Sequence, residues 1–259
     1  LPIPHPDVTI AILSALPQEQ AGIANLLTDS SITDHASRRY THGKLHGHAV
    51  VLALSGIGKV AAASTAATLI ERFGVRAIVF TGVAGGLGEG VQVGDVVVAS
   101  SYAQHDMDAS PIFPRYEAPG YGRARFDCDA VWSARLARAV QRCVEGDAAA
   151  WTAELGLPAP RMHEGLIVSG DRFVSSAAEV HVLQGSLRAA GLEALAVEME
   201  GAAVAQVCAD HAVPFAAMRS ISDRADDSAH MDFPRFISTL SSRYAQRIMG
   251  SLLQSLPVA

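Results

Sequence analysis

Apolar residues gather along this chain in short, β-branched runs, and Ala-rich stretches with helical spacing separate them. The runs predict strands at Val8–Leu13 (VTIAIL), His48–Leu54 (HAVVLAL), Arg76–Gly82 (RAIVFTG), Gly94–Ser100 (GDVVVAS), Gly165–Gly170 (GLIVSG), Leu195–Met199 (LAVEM) and Pro214–Ser220 (PFAAMRS). Several are apolar at successive positions, as strands covered by helices on both faces must be. Helices are expected at Gln18–Leu27, Lys59–Phe73, Ala130–Val144, Ala177–Ala190, Ala202–His211 and Pro234–Leu253. The alternation predicts an α/β fold, a single domain over residues 1–259, with a central mixed, mostly parallel sheet flanked by helices. Two stretches read as loops. Ala109–Phe126 is rich in Pro, Gly and aromatic residues, and is expected to be a lid or an interface arm, since long loops of this kind are often functional. Glu145–Arg161 is Ala- and Pro-rich and reads equally well as an ordinary surface excursion.

With 259 residues and 49% hydrophobic content the chain can bury a substantial core. A formal net charge of −6 argues against a nucleic-acid surface or a polybasic membrane patch. The three cysteines, Cys128, Cys143 and Cys208, are widely spaced with no CxxC pair, so neither a disulfide framework nor a zinc site is expected. Nothing near Leu1 resembles a signal peptide, and no apolar run reaches the ~18–20 residues of a membrane span. The expectation is a soluble cytoplasmic protein whose natural N-terminus lies upstream of Leu1.

Ligands of α/β sheets collect at the carboxyl ends of strands, so the polar residues there are the candidates for chemistry. The first strand ends in SALPQEQ, which puts Glu19 at or just before a helix start, where the helix dipole alone also favours a carboxylate. The second runs into SGIGKVAAA (Ser55–Ala63), a glycine turn opening a helix, without the full spacing of a phosphate-binding loop. The third ends in TGVAGGLGEGVQVGD (Thr81–Asp95), glycines that suggest backbone approaching a ligand closely or a flexible turn. Leu195–Met199 carries Glu198 and is followed by Glu200. In a strand the two carboxylates share a face, and at its end they diverge. An ionised carboxylate can accept from both vicinal hydroxyls of a ribose, or can pair with a buried arginine. In MRSISDRAD (Met218–Asp226), Arg219 and Asp223 are separated by small residues at a sheet edge, where a salt bridge between them is the plainer reading.

Five blocks, SGIGKVAAA, TGVAGGL, GLIVSGDRFV, AVEMEGAAVAQVC and RSISDRAD, follow one another in this order. In them the chain resembles the 5'-methylthioadenosine/S-adenosylhomocysteine nucleosidases of the purine nucleoside phosphorylase superfamily, over roughly Val8 to Leu253. The resemblance implies a nucleoside phosphorylase-like fold. It also implies an enzyme, needing no metal or cofactor, that hydrolyses the N-glycosidic bond of 5'-substituted adenosines to adenine and the free 5'-substituted ribose. Glu19 matches the carboxylate that activates water. Glu200 matches the ribose grip, with Met199 touching the ribose and 5' side and Glu198 supporting. Arg219 is expected near the water and the carboxylates, and Asp223 at the purine N7 and N6. Phe173 matches the ring that stacks on adenine, and Val174 the residue whose backbone reads the adenine edge. Ile57 and Phe233 match apolar walls of the 5' pocket, and Val83, Ala84, Gly85 and Ser222 are expected to line the substrate.

The resemblance further implies a homodimer, with an arm at about residues 109–126 near the neighbour's active site, and no nucleic-acid or membrane partner. Two departures stand out. The glycine loop has Val83 where the family commonly has Ser, and the arm QHDMDASPIFPRYEAPGYG keeps a His-Asp-x-Asp core before diverging. The insert around Trp151 is also longer than the family leads one to expect. Two other classes stay open: a phosphorolytic transferase, which needs cationic and hydroxyl donors for phosphate, and a nucleoside-binding protein without catalysis. Adenine release with and without phosphate separates the three.

Overall fold

The computed structural model describes residues 9–226 and 229–257, so Val8, the first residue of the expected first strand, lies outside the described residues. The strands are β1 (Ile10–Ser14), β2 (Thr28–His35), β3 (Arg38–Leu45), β4 (His48–Leu54), β5 (Ala77–Gly86), β6 (Val96–Gln104), β7 (Arg125–Asp127), β8 (Met162–Ser169), β9 (Ala194–Glu198) and β10 (Phe215–Asp223). The helices are α1 (Pro17–Ala24), α2 (Lys59–Glu71), α3 (Ala130–Cys143), α4 (Ala149–Ala153), α5 (Ala177–Ala189), α6 (Gly201–Asp210), α7 (Ala229–Phe236) and α8 (Ser242–Gln254). All belong to one mixed α/β architecture, as the alternating pattern predicts. The sheet runs β10-β6-β8-β9-β5-β1-β4-β3-β2, with β7 beside β6, and β10 also pairs with β5. Strands β5, β10, β6, β8 and β9 therefore close into a ring, from which β1, β4, β3 and β2 fan outwards. Parallel pairs join β4, β1, β5 and β10, and join β6, β8 and β9.

Helices cover both faces. One apolar layer joins Ile10, Ile12 and Val79 to Leu136 and Val140 of α3 and to Ile248 and Leu252 of α8. The other joins Leu13, Ile78 and Phe80 to Ala62, Ala66 and Leu69 of α2 and Val204 of α6. Every residue of β5 is buried, which is why its sequence is apolar or small at both parities.

Five expectations change. The polar hairpin β2–β3 was not expected as strands; it is largely exposed and continues the sheet beyond the core from β4. The glycine stretch after the third strand is not a turn at its start, because β5 runs on to Gly86. Likewise β10 extends to Asp223 and lies between β5 and β6, so Arg219 and Asp223 are not at a sheet edge. The expected loop Glu145–Arg161 is partly helical: a π-turn over Val144–Ala148 leads into α4. This insert docks on α8, where Trp151 meets Tyr244 edge-on at 5.8 Å, and Arg243 pairs with Glu154 and Arg247 with Asp147 at 2.8 Å each. The expected helix Pro234–Leu253 begins earlier and is split by a π-turn at Ile237–Ser241, with Pro234 inside α7. Among the described residues no helix is long and apolar enough to cross a membrane.

Candidate active site

A cavity of about 460 Å³ opens where the ends of β1, β5, β9 and β10 meet the segments before α2 and α5 and the helix α7. Its wall contains Glu19, Ile57, Val83, Ala84, Gly85, Phe173, Val174, Glu198, Met199, Glu200, Ser222, Asp223 and Phe233. Of the residues singled out from the sequence, Arg219 alone does not line it. The wall also holds Leu16, Arg172 and Pro234, each adjacent in sequence to a singled-out residue or one turn from it. Adjacency is the only signal in the sequence that could have found them.

Glu19 sits in the first turn of α1 and is 3% exposed. Its Oε2 accepts from the backbone N–H of Ala15 and of Leu16, both at 2.8 Å, and its Oε1 from Val83 N–H at 3.1 Å. Burial raises its pKa. These amides and the positive charge of Arg219 oppose the shift and draw the carboxyl back towards its ionised form. A side chain on residue 82 would block this arrangement, since a Cβ on Gly82 would lie 2.9 Å from Glu19 Oε1.

Asp223 closes β10 and is 2% exposed. It accepts from Ser222 Oγ at 2.7 Å and from Ala225 N–H at 2.8 Å. Burial raises its pKa against those two bonds, and the neighbouring Asp226 and Asp232 raise it further. A Cβ on Gly85 would stand 3.0 Å from Asp223 Oδ1 and 2.8 Å from Ala225 Cβ, so glycine is what admits this carboxyl too. The glycines of β5 thus make room for carboxylates, a more specific role than close approach to a ligand. Glu19 touches the strand at Gly82 and Val83, and Asp223 pairs with Gly85. Three residues of strand span about 10 Å, so one rigid element spaces the two groups.

Glu198 and Glu200 part company at the end of β9. Glu198 turns inward: its Oε2 pairs with Arg219 Nη2 at 2.8 Å, and it accepts from the backbone N–H of Gly201 at 2.9 and 3.0 Å and of Glu200 at 3.2 Å, and from Ser169 Oγ. Arg219 is 1% exposed, lies over the Phe80 ring at 4.1 Å, and donates to the carbonyls of Met218 and Phe80 at 3.0 and 3.3 Å. It pairs with Glu198 beneath the cavity, not with Asp223. Glu200, the residue preceding α6, accepts from Gly58 N–H at 2.9 Å and faces the cavity. Burial, then the charge of Glu198, holds its pKa well above the usual carboxylate range.

The rest of the wall is apolar. Phe173, 45% exposed, meets Phe233 edge-on at 5.7 Å, and Ile57, Val174 and Met199 complete the surface. The glycine turn Ser55–Ala63 does not offer its lysine to an anion. Lys59 Nζ is held by Asp106 Oδ1 at 2.5 Å and Gln104 Oε1 at 3.0 Å.

Comparison with known proteins gives a consistent result. The family model of the phosphorylase superfamily matches residues 9–254. The chain is 35% identical over 242 residues to a 5'-methylthioadenosine/S-adenosylhomocysteine nucleosidase from an Exiguobacterium species, covering 93% of this chain and 96% of that protein. Its fold matches the Neisseria meningitidis nucleosidase of that name, solved in complex with methylthio-immucillin-A, with a TM-score of 0.84 at 35% identity over 96% of this chain and 100% of the other. It also matches a futalosine hydrolase mutant from Helicobacter pylori, with a TM-score of 0.81 at 31% identity over 96% of this chain and 99% of that one.

Proposed function

The chain belongs to the 5'-methylthioadenosine/S-adenosylhomocysteine nucleosidases of the phosphorylase superfamily, and on that premise we propose that it hydrolyses the N-glycosidic bond of 5'-substituted adenosines, releasing adenine and the free 5'-substituted ribose. The observation that carries this reading is the pair of buried carboxyls, Glu19 and Asp223, spaced along β5 on the wall of one apolar cavity. Breaking an N-glycosidic bond builds positive charge on C1' and the ring oxygen, and negative charge on the leaving base. Asp223, whose pKa is raised by burial and by its acidic neighbours, donates towards the adenine N7. Glu19, drawn towards its ionised form by three backbone N–H groups and Arg219, takes the proton from an attacking water. Burial raises both carboxyls, and their different partners suit them to different roles: acidic neighbours raise Asp223 further, while backbone N–H groups and Arg219 act in the opposite direction on Glu19. One carboxyl that protonates the leaving group and a second that activates water follow the logic of inverting glycosidases.

Phe173 stacks on adenine, the Val174 backbone reads its edge, and Ser222 orients Asp223. Glu200 accepts from the ribose hydroxyls, and Glu198 with Arg219 fixes the start of α6 from which Glu200 projects. The 5' substituent lies against Ile57, Met199 and Phe233, walls suited to an alkylthio group. Exposed apolar side chains, Ile57 on the cavity wall, Val60 at the start of α2 and Ile112 on the arm, support a homodimer in which the arm, about residues 109–126, covers the neighbour's pocket. Three unpaired cysteines, Cys128, Cys143 and Cys208, support a reducing, cytoplasmic setting.

The test is to identify the sugar product from methylthioadenosine in phosphate buffer. Free methylthioribose, formed at a rate independent of phosphate, is expected; sugar 1-phosphate with a rate that saturates in phosphate would move the chain to the phosphorylases. A second measurement addresses Glu200. Glu200→Gln keeps an acceptor for Gly58 N–H but cannot ionise as positive charge builds on the sugar, so kcat should fall by about 10²-fold while KM rises far less. A change confined to KM would make Glu200 a ground-state anchor.

A further inference from the structure

Lys59, Asp106 and Asp171 form a closed ring of polar contacts beside the cavity. Lys59 Nζ donates to Asp106 Oδ1 at 2.5 Å, and Asp106 Oδ2 accepts from Asp171 N–H at 2.9 Å. Asp171 Oδ1 then accepts from Lys59 N–H at 2.7 Å. The ring joins the start of α2, the segment after β6 and the segment after β8. Helix α2 has no side-chain cap of its own, and Asp171 supplies one from across the site. The approach is close: Gly58 has φ +98°, and a Cβ there would lie 3.2 Å from Asp171 Oδ1.

The side chains are well placed to hold a shape. Lys59 is 15% exposed and its ammonium also donates to Gln104 at 3.0 Å, whose own amide donates to Gln206 of α6 at 3.0 Å. Burial opposes ionisation of Asp106, yet the bonds from Lys59 and Asp171 hold its pKa below the usual value. None of the three side chains lines the cavity. Each is next to something that does. Gly58, joined to Lys59, donates the N–H that Glu200 accepts at 2.9 Å. Phe173 and Val174 follow Asp171 within three residues.

Resting on the nucleosidase reading, we propose that Lys59, Asp106 and Asp171 are positioning residues that lock the ribose carboxylate's donor and the adenine segment together, so that sugar and base are gripped as one unit. Glu200 has a single backbone donor among the described hydrogen bonds, and the clasp fixes that donor through the adjacent peptide. Releasing the ring frees the Asp171–Val174 segment and lets Gly58 N–H turn away from Glu200 in the same event. Displacements near 1 Å of this kind cost about 10²-fold in rate.

The test uses the whole chain with Lys59→Met, which keeps the apolar stem and removes the ammonium. Adenine binding by titration calorimetry and methylthioadenosine turnover are the two probes. Methylthioadenosine kcat/KM should fall about tenfold or more, with kcat included in the loss, while the adenine Kd rises about threefold or less, because adenine feels the loosened segment but not the ribose grip. Equal factors for both probes would reduce the ring to an anchor of the adenine segment. No change in either would reduce it to a helix cap. Both results overturn the proposal. Should Lys59→Met fail to fold, Asp106→Asn serves, since an amide cannot accept from both Lys59 Nζ and Asp171 N–H with its two terminal atoms. A native chain that releases no adenine from methylthioadenosine would overturn the nucleosidase reading and this proposal with it, a result recognisable before any variant is made.

Discussion

Asp223→Asn should lower turnover of an adenosine substrate by about 10²–10⁴-fold while leaving the fold and nucleoside affinity nearly intact. The substitution is a clean one here. The amide oxygen can still accept from Ala225 N–H, held at 2.8 Å, and the amide N–H₂ can donate to Ser222 Oγ, now 2.7 Å from the carboxyl, because a hydroxyl both donates and accepts. What is lost is the transferable proton. Adenine leaves poorly as an anion, so the barrier rises in the step where N7 takes up that proton. The pH dependence follows from the same environment. A group whose pKa is raised keeps its proton above the ordinary carboxylate range, and the native rate is lost as pH rises through the folded pKa. Asp223→Asn should remove that alkaline limb along with most of kcat. A variant with near-native kcat would take the acid role away from Asp223.

How far the sequence foretold this site depends on what each residue's neighbours are. The strands β1, β4, β5, β8, β9 and β10 are legible because burial on both faces demands runs of apolar or small residues. β2 and β3 are illegible for a complementary reason. They are polar, and the turn between them, Ala36-Ser37 with φ of 48° and 60°, has the backbone of a tight hairpin without its usual Asn-Gly signature. The insert around Trp151 folds by docking on α8, and long-range packing of that kind leaves no local pattern. Within the site, the carboxylates are conspicuous as charges in apolar surroundings, but their partners are not. That Glu198 would take Arg219 and leave Glu200 to the cavity depends on where β9 stops and α6 starts, a matter of one residue. The ring through Lys59 is likewise hidden, since its members lie 47 and 112 positions apart in sequence.

The Glu198–Arg219 pair explains how so acidic a cavity is tolerated. Four carboxyls line one wall, and one is neutralised in place at 2.8 Å by a guanidinium that is itself stacked on Phe80. Breaking a buried pair of this kind costs about 3–5 kcal/mol, because the remaining charge is left without its counter-ion. The arrangement is therefore structural support: it holds the first turn of α6, and it lends Glu19 a positive field without exposing a cation to the substrate.

Glu19→Gln should cost about 10²–10⁴-fold in kcat/KM, and should do so without opening a phosphorolytic route. The carboxylate accepts from three backbone N–H groups through two oxygens. A glutamine has one oxygen to offer, and its N–H₂ must then face at least one of those donors, so the variant loses both the base and the local hydrogen-bond match. Ionised Glu19 is the working form of a base, and its pKa is raised, so the native rate falls as pH drops through that value. The variant should lose the part of the acid limb that belongs to Glu19. Phosphate does not step in. The Val83 N–H, which a phosphate would need in the absence of a loop hydroxyl, is already given to Glu19 at 3.1 Å, and Lys59 is held by Asp106 and Gln104. Arg219 faces Glu198 below the wall. A multiply charged anion would then find few donors aimed at its oxygens, whereas a neutral water needs no such cradle. The measurement is kcat/KM against pH for both proteins, with and without phosphate. Near-native activity in Glu19→Gln, or a phosphate-dependent rate in either protein, would remove the base from Glu19.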